Sequence, residues 1–192
     1  MNIFDILGPV MVGPSSSHTA GAVRIGLITR RLLGEKVKTA RIGMYGSFAA
    51  TGKGHGTDRA LVAGLLGMEP DDIRIPASFE LAKQEQMEFQ IEEISLSGAH
   101  PNTAVLNVEG ISGRKLEVQA SSLGGGRIMI NRLDGIEVNC TCEMPTLIVH
   151  NIDQPGLVAK VTSMLFESNI NIANKSLYRD RRGGIAGMDI EA

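Results

Sequence analysis

The sequence predicts an α+β fold in two parts, and three observations support that prediction. Helical patterns come first, a run of short alternating strands follows from 87 to 140, and a tail after Glu143-Met144-Pro145 has its own strand–helix–strand–strand order. Helices followed by consecutive strands are typical of α+β domains, in which helices cover an antiparallel sheet. We therefore expect a first domain over 1–143 and a second domain over 146–192.

The first long helix is predicted after a short apolar turn over 3–12 and runs from Thr19 or Ala20 to Leu33. Its apolar residues form a broad stripe at helical spacing. Gly34 follows as a C-terminal stop, and Ser17 or a neighbouring serine is expected to cap the start of the helix. The signals for the two helix ends therefore agree with the periodicity between them.

The rest of the first domain is predicted to contain short helices and then a series of strands. In chain order we expect a strand over 37–46, a loop over 47–56, a helix over 58–66, a short strand over 73–75, a short helix over 79–86, and strands over 87–96, 103–108, 115–120, 127–131 and 136–140. The stretch from Ser121 to Arg127 contains three glycines, which predict a hairpin turn. Its open backbone N–H groups would alternatively form an anion site.

The tail is predicted to contain a strand over 146–150, a helix over 157–168, and strands over 170–178 and 185–191. This order is the first three-quarters of a βαββαβ unit. Without the final helix and strand, one sheet face and one strand edge would stay uncovered. We expect either a truncated or an abbreviated module.

Composition argues against several classes of function. The net charge is −2, and there are five Phe, two Tyr and no Trp, so neither a basic surface nor stacking aromatics point to nucleic acid. No apolar run approaches the roughly 18 residues that span a bilayer. The N-terminus lacks the basic region of a signal peptide. We therefore expect a cytoplasmic protein that does not bind membranes.

The two cysteines of the chain, Cys140 and Cys142, are separated by one residue. Residues i and i+2 of a strand share one face, so both thiols are expected on the same side. Two thiols alone cannot complete a tetrahedral zinc site or an iron–sulfur cluster. We interpret them as reduced structural thiols, and we expect this chain to hold no metal.

The stretch Gly13–Gly21, GPSSSHTAG, is the first candidate for chemistry, and we call it the serine loop. Hydroxyls, backbone N–H groups and the positive end of a helix dipole together bind anions such as a carboxylate or a phosphate. His18 is placed to donate a hydrogen bond to such an anion or to move a proton. The alternative is a heavily capped helix start with a surface histidine.

The stretch Gly46–Asp58, GSFAATGKGHGTD, is the second candidate. It is not a nucleotide-binding P-loop, because that motif needs a glycine where Ser47 stands and Ser or Thr where Gly54 stands. What remains is a glycine-rich loop carrying Lys53 and His55, whose backbone can approach a ligand closely. A mobile, solvated linker is the alternative. A Ser/His/Asp hydrolase is rejected because the chain has no G-x-S-x-G motif.

The stretch His150–Gly156, HNIDQPG, joins a predicted strand to a predicted helix. Such a turn is a recurring small-ligand site in regulatory modules. It is equally consistent with an ordinary strand–helix connection.

Taken together, GPSSSHTAG, YGSFAATGKGHGTD and SSLGGGR, followed by the βαβ-type tail, resemble the beta subunit of bacterial iron–sulfur-dependent L-serine dehydratase over essentially the whole chain. The resemblance implies a domain similar to the allosteric-substrate-binding domain of phosphoglycerate dehydrogenases, followed by a ferredoxin-like ACT module. It also implies a lyase that converts L-serine to pyruvate and ammonia. A partner alpha subunit would carry the [4Fe-4S] cluster, whose open iron site would act on the serine hydroxyl.

The resemblance transfers roles to named residues of this sequence. It implies substrate-binding and catalytic residues at the interface with the alpha subunit, and regulatory-ligand contacts in the tail. The implied catalytic residues are His18 and His55, the substrate-binding residues are Ser15, Ser16, Ser17, Thr19, Lys53 and Gly54, and the regulatory contacts are Asn151, Asp153, Gln154 and Gly156. The same loops could instead form a purely regulatory L-serine site. A homodimer of this chain is expected from the tail sheet.

Overall fold

The structure, a computed structural model, describes residues 10–179 and 181–192. Its helices are α1 (Ala22–Leu33), α2 (Ser47–His55), α3 (Thr57–Leu66), α4 (Ser78–Gln84) and α5 (Leu157–Glu167), with a π-helical turn at Ser16–Gly21 and a 3₁₀ turn at Ile75–Ala77. Its strands are β1 (Val37–Gly46), β2 (Glu88–Glu93), β3 (Asn102–Gly110), β4 (Lys115–Gly124), β5 (Arg127–Leu133), β6 (Ile136–Cys140), β7 (Thr146–Ile152), β8 (Asn174–Arg179) and β9 (Ile185–Glu191). The turn predicted over 3–12 lies largely outside the described residues.

The first sheet has six strands in the order β2-β1-β3-β4-β5-β6. The strands β1 and β2 are parallel and are joined by a crossover that contains α2, α3 and α4, whereas the other neighbours are antiparallel. Ile42, Leu106, Val118 and Ile130 alternate with more exposed residues and are fully buried on the face that the helices cover. The predicted α+β class is confirmed.

The other face of the six-stranded sheet carries polar side chains. Gln119 and Ser121 on β4 and Asn131 on β5 line a pocket on that face, together with the exposed imidazole of His100. The Ser121 hydroxyl donates to Asn131 Oδ1 at 2.7 Å. This face is therefore solvated, as is common when an antiparallel sheet has helices on one side only.

The helices α1 and α3 pack directly backbone against backbone at two glycines. A Cβ atom added to Gly64 would lie 2.1 Å from the carbonyl oxygen of Val23, and one added to Gly26 would lie 2.3 Å from the carbonyl oxygen of Leu61. Neither position has room for a side chain, so both glycines are required for the close approach of the two helices. This contact fixes α1, and with it the serine loop, against α3.

Two predictions about the connections were wrong. The predicted loop 47–56 is helix α2 over most of its length, because Phe48 is fully buried in the core and because packing outweighs the low helix propensity of its glycines. The short strand predicted over 73–75 is absent from this described segment, which instead turns into the 3₁₀ helix. Pro76 has no N–H to donate to a strand neighbour but is well tolerated in the first turn of a helix.

The tail has the predicted strand–helix–strand–strand order, although β8 begins at Asn174 rather than at 170. Its sheet order is β7-β9-β8, so β9 lies between two strands that run antiparallel to it. One face contacts the first sheet: the backbone N–H of Asn139 on β6 donates to the Tyr178 hydroxyl, which donates to the buried Asp189 carboxylate. None of the helices in 10–179 and 181–192 is long and apolar enough to cross a membrane.

Candidate active site

The serine loop forms the beginning of the first long helix. The π-helical turn Ser16–Gly21 continues directly into α1, and Ser15 precedes it in an extended conformation with φ of −139°. Ser15 Oγ accepts a hydrogen bond from the backbone N–H of His18 at 3.1 Å, so a serine neighbouring Ser17 is the cap. Single π-helical turns are uncommon and frequently occur at functional sites.

Serine hydroxyls surround both ring nitrogens of His18. Its Nδ1 atom lies 3.1 Å from Ser17 Oγ and 3.4 Å from Ser15 Oγ, and its Nε2 atom lies 3.1 Å from Ser47 Oγ. A hydroxyl can donate or accept, so these contacts fix the orientation of the ring in either neutral tautomer. The proton on His18 can therefore move from one ring nitrogen to the other without loss of hydrogen bonds.

Gly46 sets the position of Ser47 at the start of α2. With φ of 59°, it turns the chain sharply out of β1, and a Cβ atom there would lie 2.6 Å from the carbonyl oxygen of Pro101. That same carbonyl accepts from the backbone N–H of Ser47 at 2.8 Å. The next residue, Phe48, packs edge-on against the His18 ring with centroids 5.4 Å apart. The end of β1 thus positions two contacts of His18.

The second predicted histidine comes close to the first. The rings of His18 and His55 have centroids 5.1 Å apart, and the Thr19 hydroxyl donates to the backbone carbonyl of His55 at 3.4 Å. His55 Nδ1 lies 3.3 Å from the carbonyl of Thr51, to which it donates, so its Nε2 atom is the acceptor in the neutral ring. Gly54 is exposed, with no atom within 4 Å of an added Cβ. The side chain of Lys53 lies outside the described part of the chain.

The pKa of His18 is lowered from its ordinary value. Burial is the largest cause, since it disfavours the charged imidazolium, and the nearby His55 lowers the pKa further, whereas a hydrogen bond that the ring donates to the Ser47 backbone opposes both. His18 is therefore neutral at pH 7 and able to accept a proton. The folded state gains stability from this group above the ordinary pKa of 6.5 and loses it as pH falls towards the lowered value.

Replacing His55 with glutamine is expected to raise the pKa of His18 towards 6.5 without reaching it, because burial remains. The measurement is an NMR titration of the His18 ring protons in both proteins. His100→Gln, which alters a histidine on the other face of the sheet, is the matched control and should leave the His18 titration unchanged. An unchanged His18 midpoint in His55→Gln would contradict the proposed electrostatic coupling.

The glycine-rich stretch near residue 125 is a hairpin turn that supports the serine loop. The backbone N–H of Gly125 donates to Ser16 Oγ at 3.3 Å, and Arg24 on α1 donates to the carbonyl of Gly126 at 3.0 Å. The hairpin interpretation is confirmed. The hydroxyl of Ser122, on the neighbouring strand end, is buried without a hydrogen-bond partner because Gly21 packs tightly over it.

The turn predicted to bind a regulatory ligand lies in the tail. Asp153 accepts from the backbone N–H of Gly183 at 3.3 Å and pairs with Arg179 at 3.3 Å, so its carboxylate ties the turn to strands β8 and β9. Asp153 and Gln154 line a cavity of about 210 Å³ between α5 and the tail sheet. The Asn151 side chain accepts from the backbone N–H of Ile152, and Gly156, with φ of 89°, precedes α5.

The residues of this chain do not fit an iron–sulfur cluster. Such clusters are normally held by four cysteine thiolates, and the sequence has two cysteines. Within 10–179 and 181–192, no group of three or more His, Cys, Asp and Glu side chains is arranged to hold a metal ion. The groups that this chain itself contributes to the site are therefore hydroxyls and imidazoles.

Two residues of the site were missed by reasoning from the sequence. Ser47 and Phe48, which both contact the His18 ring, were included only in a stretch predicted as a loop. The one available signal is the change from alternating strand residues to Gly46-Ser47, which marks the end of β1. The contact with His18 spans 29 positions and has no local pattern.

Known proteins are similar to this chain over ranges that include the residues of the site. A family model described as "Serine dehydratase beta chain" matches residues 2–95, which include the serine loop and α2. The chain is 40% identical over 190 residues to a probable L-serine dehydratase, beta chain, of Bacillus subtilis, covering 99% of this chain and 86% of that protein. It is 39% identical to the L-serine dehydratase, beta chain, of Peptoniphilus asaccharolyticus, covering 98% and 85%. L-serine dehydratase 2 of Escherichia coli is 30% identical, covering 76% of this chain and 37% of that longer protein.

Proposed function

Because the chain belongs to the family of serine dehydratase beta chains, we propose that it is the beta subunit of an L-serine ammonia-lyase and supplies half of the active site. The observation that carries this proposal is the convergence of His18, His55 and four hydroxyl side chains at the start of α1. An alpha subunit that holds a [4Fe-4S] cluster would supply the other half.

The serine loop suits the carboxylate of L-serine. The hydroxyls of Ser16 and Ser17 are hydrogen-bond donors, and the start of a helix adds the positive end of its dipole. The Thr19 hydroxyl is buried and donates to the His55 carbonyl, so it supports the loop rather than contacting the carboxylate. Ser15 is committed to capping and orients its neighbours rather than binding directly. An amino acid carboxylate bound here would lie beside the His18 ring.

His18 is the candidate base for the reaction. Dehydration removes the Cα proton and the β-hydroxyl of L-serine as water and leaves aminoacrylate, which tautomerises to an imine. Water then hydrolyses the imine to pyruvate and ammonia. A neutral imidazole with a lowered pKa can accept the Cα proton and pass it to the departing β-hydroxyl, which leaves as water. The Coulombic effect of His55 on the His18 ring favours that neutral form, and His55 itself is exposed.

The exposure of one side of this arrangement supports a shared site. His55 and Gly54 are exposed, whereas the inner side of the His18 ring packs against the buried Phe48. A partner surface that covered His55 would exclude water from the imidazoles. We propose that the alpha subunit covers this side.

The tail is proposed to be an ACT-like regulatory module, following a domain similar to the allosteric-substrate-binding domain. Its sheet order β7-β9-β8 is the one that the first three strands of a βαββαβ unit adopt, and its cavity beside Gln154 has room for a small ligand. Phe166 on α5 and Leu177 on β8 are exposed apolar residues, 81% and 56% accessible, respectively. They support pairing of the tail with a second copy, and hence a homodimer. The cytoplasm is the proposed location.

Anaerobic reconstitution tests the proposed function. The full chain is mixed with a cysteine-bearing alpha chain of the same organism, and pyruvate formation from L-serine is measured for each chain alone and for the mixture. Only the mixture of the two chains is expected to form pyruvate. A purely regulatory role would instead give saturable L-serine binding to the isolated chain by calorimetry, with His18 and His55 variants altering affinity but not the maximal rate.

Replacing Ser47 with alanine is expected to lower kcat/KM for L-serine about 2- to 10-fold, the effect of losing one hydrogen bond to the His18 ring. The assay is steady-state turnover of the reconstituted enzyme. Ser168→Ala, at the end of α5, is the matched control and should turn over L-serine at the unaltered rate. Full activity in Ser47→Ala would show that this hydroxyl does not position His18.

A further inference from the structure

The two cysteines lie at the junction of the two sheets with their sulfur atoms in contact. The Sγ atoms of Cys140 and Cys142 are 3.1 Å apart. Cys140 is the last residue of β6, and Cys142 has φ of 53°, a left-handed conformation that bends the chain and directs its thiol back towards Cys140. Positive φ is unfavourable for a residue that has a side chain. The contact between the two sulfur atoms therefore depends on an uncommon backbone conformation at Cys142.

The two thiols differ in accessibility. Cys140 is fully buried, whereas Cys142 is half-buried and lines a cleft beside Arg24 and Arg31 of α1. The Cys142 thiol donates to Cys140, which lowers the pKa of Cys140 to about 7 and raises that of Cys142. The pair therefore loses one proton near neutral pH, and the resulting thiolate has a second sulfur at contact distance.

From this geometry we propose that Cys140 and Cys142 form a reversible redox site, in which a low-molecular-weight disulfide such as oxidised glutathione converts the thiol pair to an intramolecular disulfide. The sulfur atoms need to approach by about 1 Å to reach the bonding distance. Rotation of the two side chains about their Cα–Cβ bonds, together with a small shift of the bend at Thr141, supplies such a movement.

The exchange is balanced in two steps. As the Cys142 sulfur on the cleft attacks one sulfur of the oxidant, its proton passes to the Cys140 thiolate in contact with it, one glutathione is released and a mixed disulfide forms. Cys140 then loses this proton to solvent, and its thiolate attacks the Cys142 sulfur and releases the second glutathione. The two protein thiols lose two protons and two electrons, and the oxidant takes them up as two molecules of thiol.

The position of this site connects it to the rest of the chain. Cys140 ends β6 and Cys142 lies in the short connection to β7, so the disulfide would stiffen the segment that joins the two sheets. Cys142 faces Arg24, which donates to Gly126 of the hairpin that holds the serine loop. The thiol pair thus lies beside the elements that position the candidate active site.

The test uses the full native chain in buffers of increasing oxidised-to-reduced glutathione ratio. Each sample is quenched with acid, unfolded and alkylated with N-ethylmaleimide, and the intact mass counts free thiols. The species with two adducts is expected to be replaced by a species with none, while the glutathione adduct stays a minor species throughout. Circular dichroism checks that the fold is kept.

The single-cysteine variants are matched controls with opposite expectations. Cys140→Ser keeps the accessible thiol and should accumulate the glutathione adduct, and Cys142→Ser keeps the buried thiol and should stay unmodified. Two free thiols in wild type under fully oxidised glutathione would overturn the proposal. So would a wild-type glutathione adduct as abundant as in Cys140→Ser, or a covalent dimer, because each shows that the internal bond does not close.

Discussion

Replacing His18 with alanine is expected to lower turnover of L-serine by the reconstituted enzyme about 10²- to 10⁴-fold, the range lost when a general base is removed. Its ring is held by Ser15, Ser17 and Ser47 and is kept neutral mainly by burial. The change should reduce kcat rather than assembly with the alpha subunit. Steady-state kinetics and size-exclusion chromatography of the complex measure the two effects separately.

The matched control for this prediction is His100→Ala. His100 is exposed and lies in the pocket on the polar face of the six-stranded sheet, whereas the serine loop packs on the helical face. This variant should retain turnover close to that of the unaltered enzyme. If His18→Ala turned over L-serine at the rate of His100→Ala, His18 would not be the base, and the hydroxyls around it would have to be reinterpreted as a binding or regulatory site.

The Gly64→Ala variant is expected to be less stable than the unaltered chain by about 2–3 kcal/mol, a typical cost of overpacking. An added methyl group would lie 2.1 Å from the Val23 carbonyl oxygen and 2.6 Å from the Leu27 nitrogen, so α1 and α3 must separate. The gain of about 1 kcal/mol from higher helix propensity does not offset this clash. Urea denaturation should show the unfolding midpoint lowered by about 1 M.

The control is the same substitution at a helical glycine with room around it. Gly54 lies within α2, and no atom lies within 4 Å of the Cβ atom that alanine would add. Gly54→Ala should therefore leave stability unchanged or raise it by up to about 1 kcal/mol. Equal destabilisation of both variants would mean that helix conformation, rather than the contact between α1 and α3, explains the loss.

Elements with a strong local signal were predicted well. The first long helix ends at Leu33 with Gly34 after it, and strand β1 spans 37–46, both as expected, although α1 begins at Ala22 and the residues before it form a π-helical turn. Helix α2 was missed because Gly52 and Gly54 lower its intrinsic propensity, and its stability comes from the burial of Phe48 and from the Pro101 carbonyl at its start. Neither of these contributions is visible within the segment itself.

The candidate site was likewise predicted in part, where its residues carry a local signal. Reasoning from the sequence identified the serine loop, His18 and His55, because a run of hydroxyls and glycine-framed histidines is unusual in any local context. It did not identify Ser47 as a partner of His18, nor the contact between the two histidine rings. It interpreted Cys140 and Cys142 as structural thiols on one face, but it did not identify the contact between their sulfur atoms, which depends on the positive φ of Cys142.

The sequence by itself determined the family, the α+β class and the capping of the first helix, since each depends on residue types and on neighbours a few positions apart. Only the tertiary structure decided which hydroxyl meets which nitrogen of His18 and which thiol faces the cleft. Those contacts form when β1 pairs with β3 and when α1 packs on α3, and the pairing of segments that are distant along the chain leaves no periodic signal in either one.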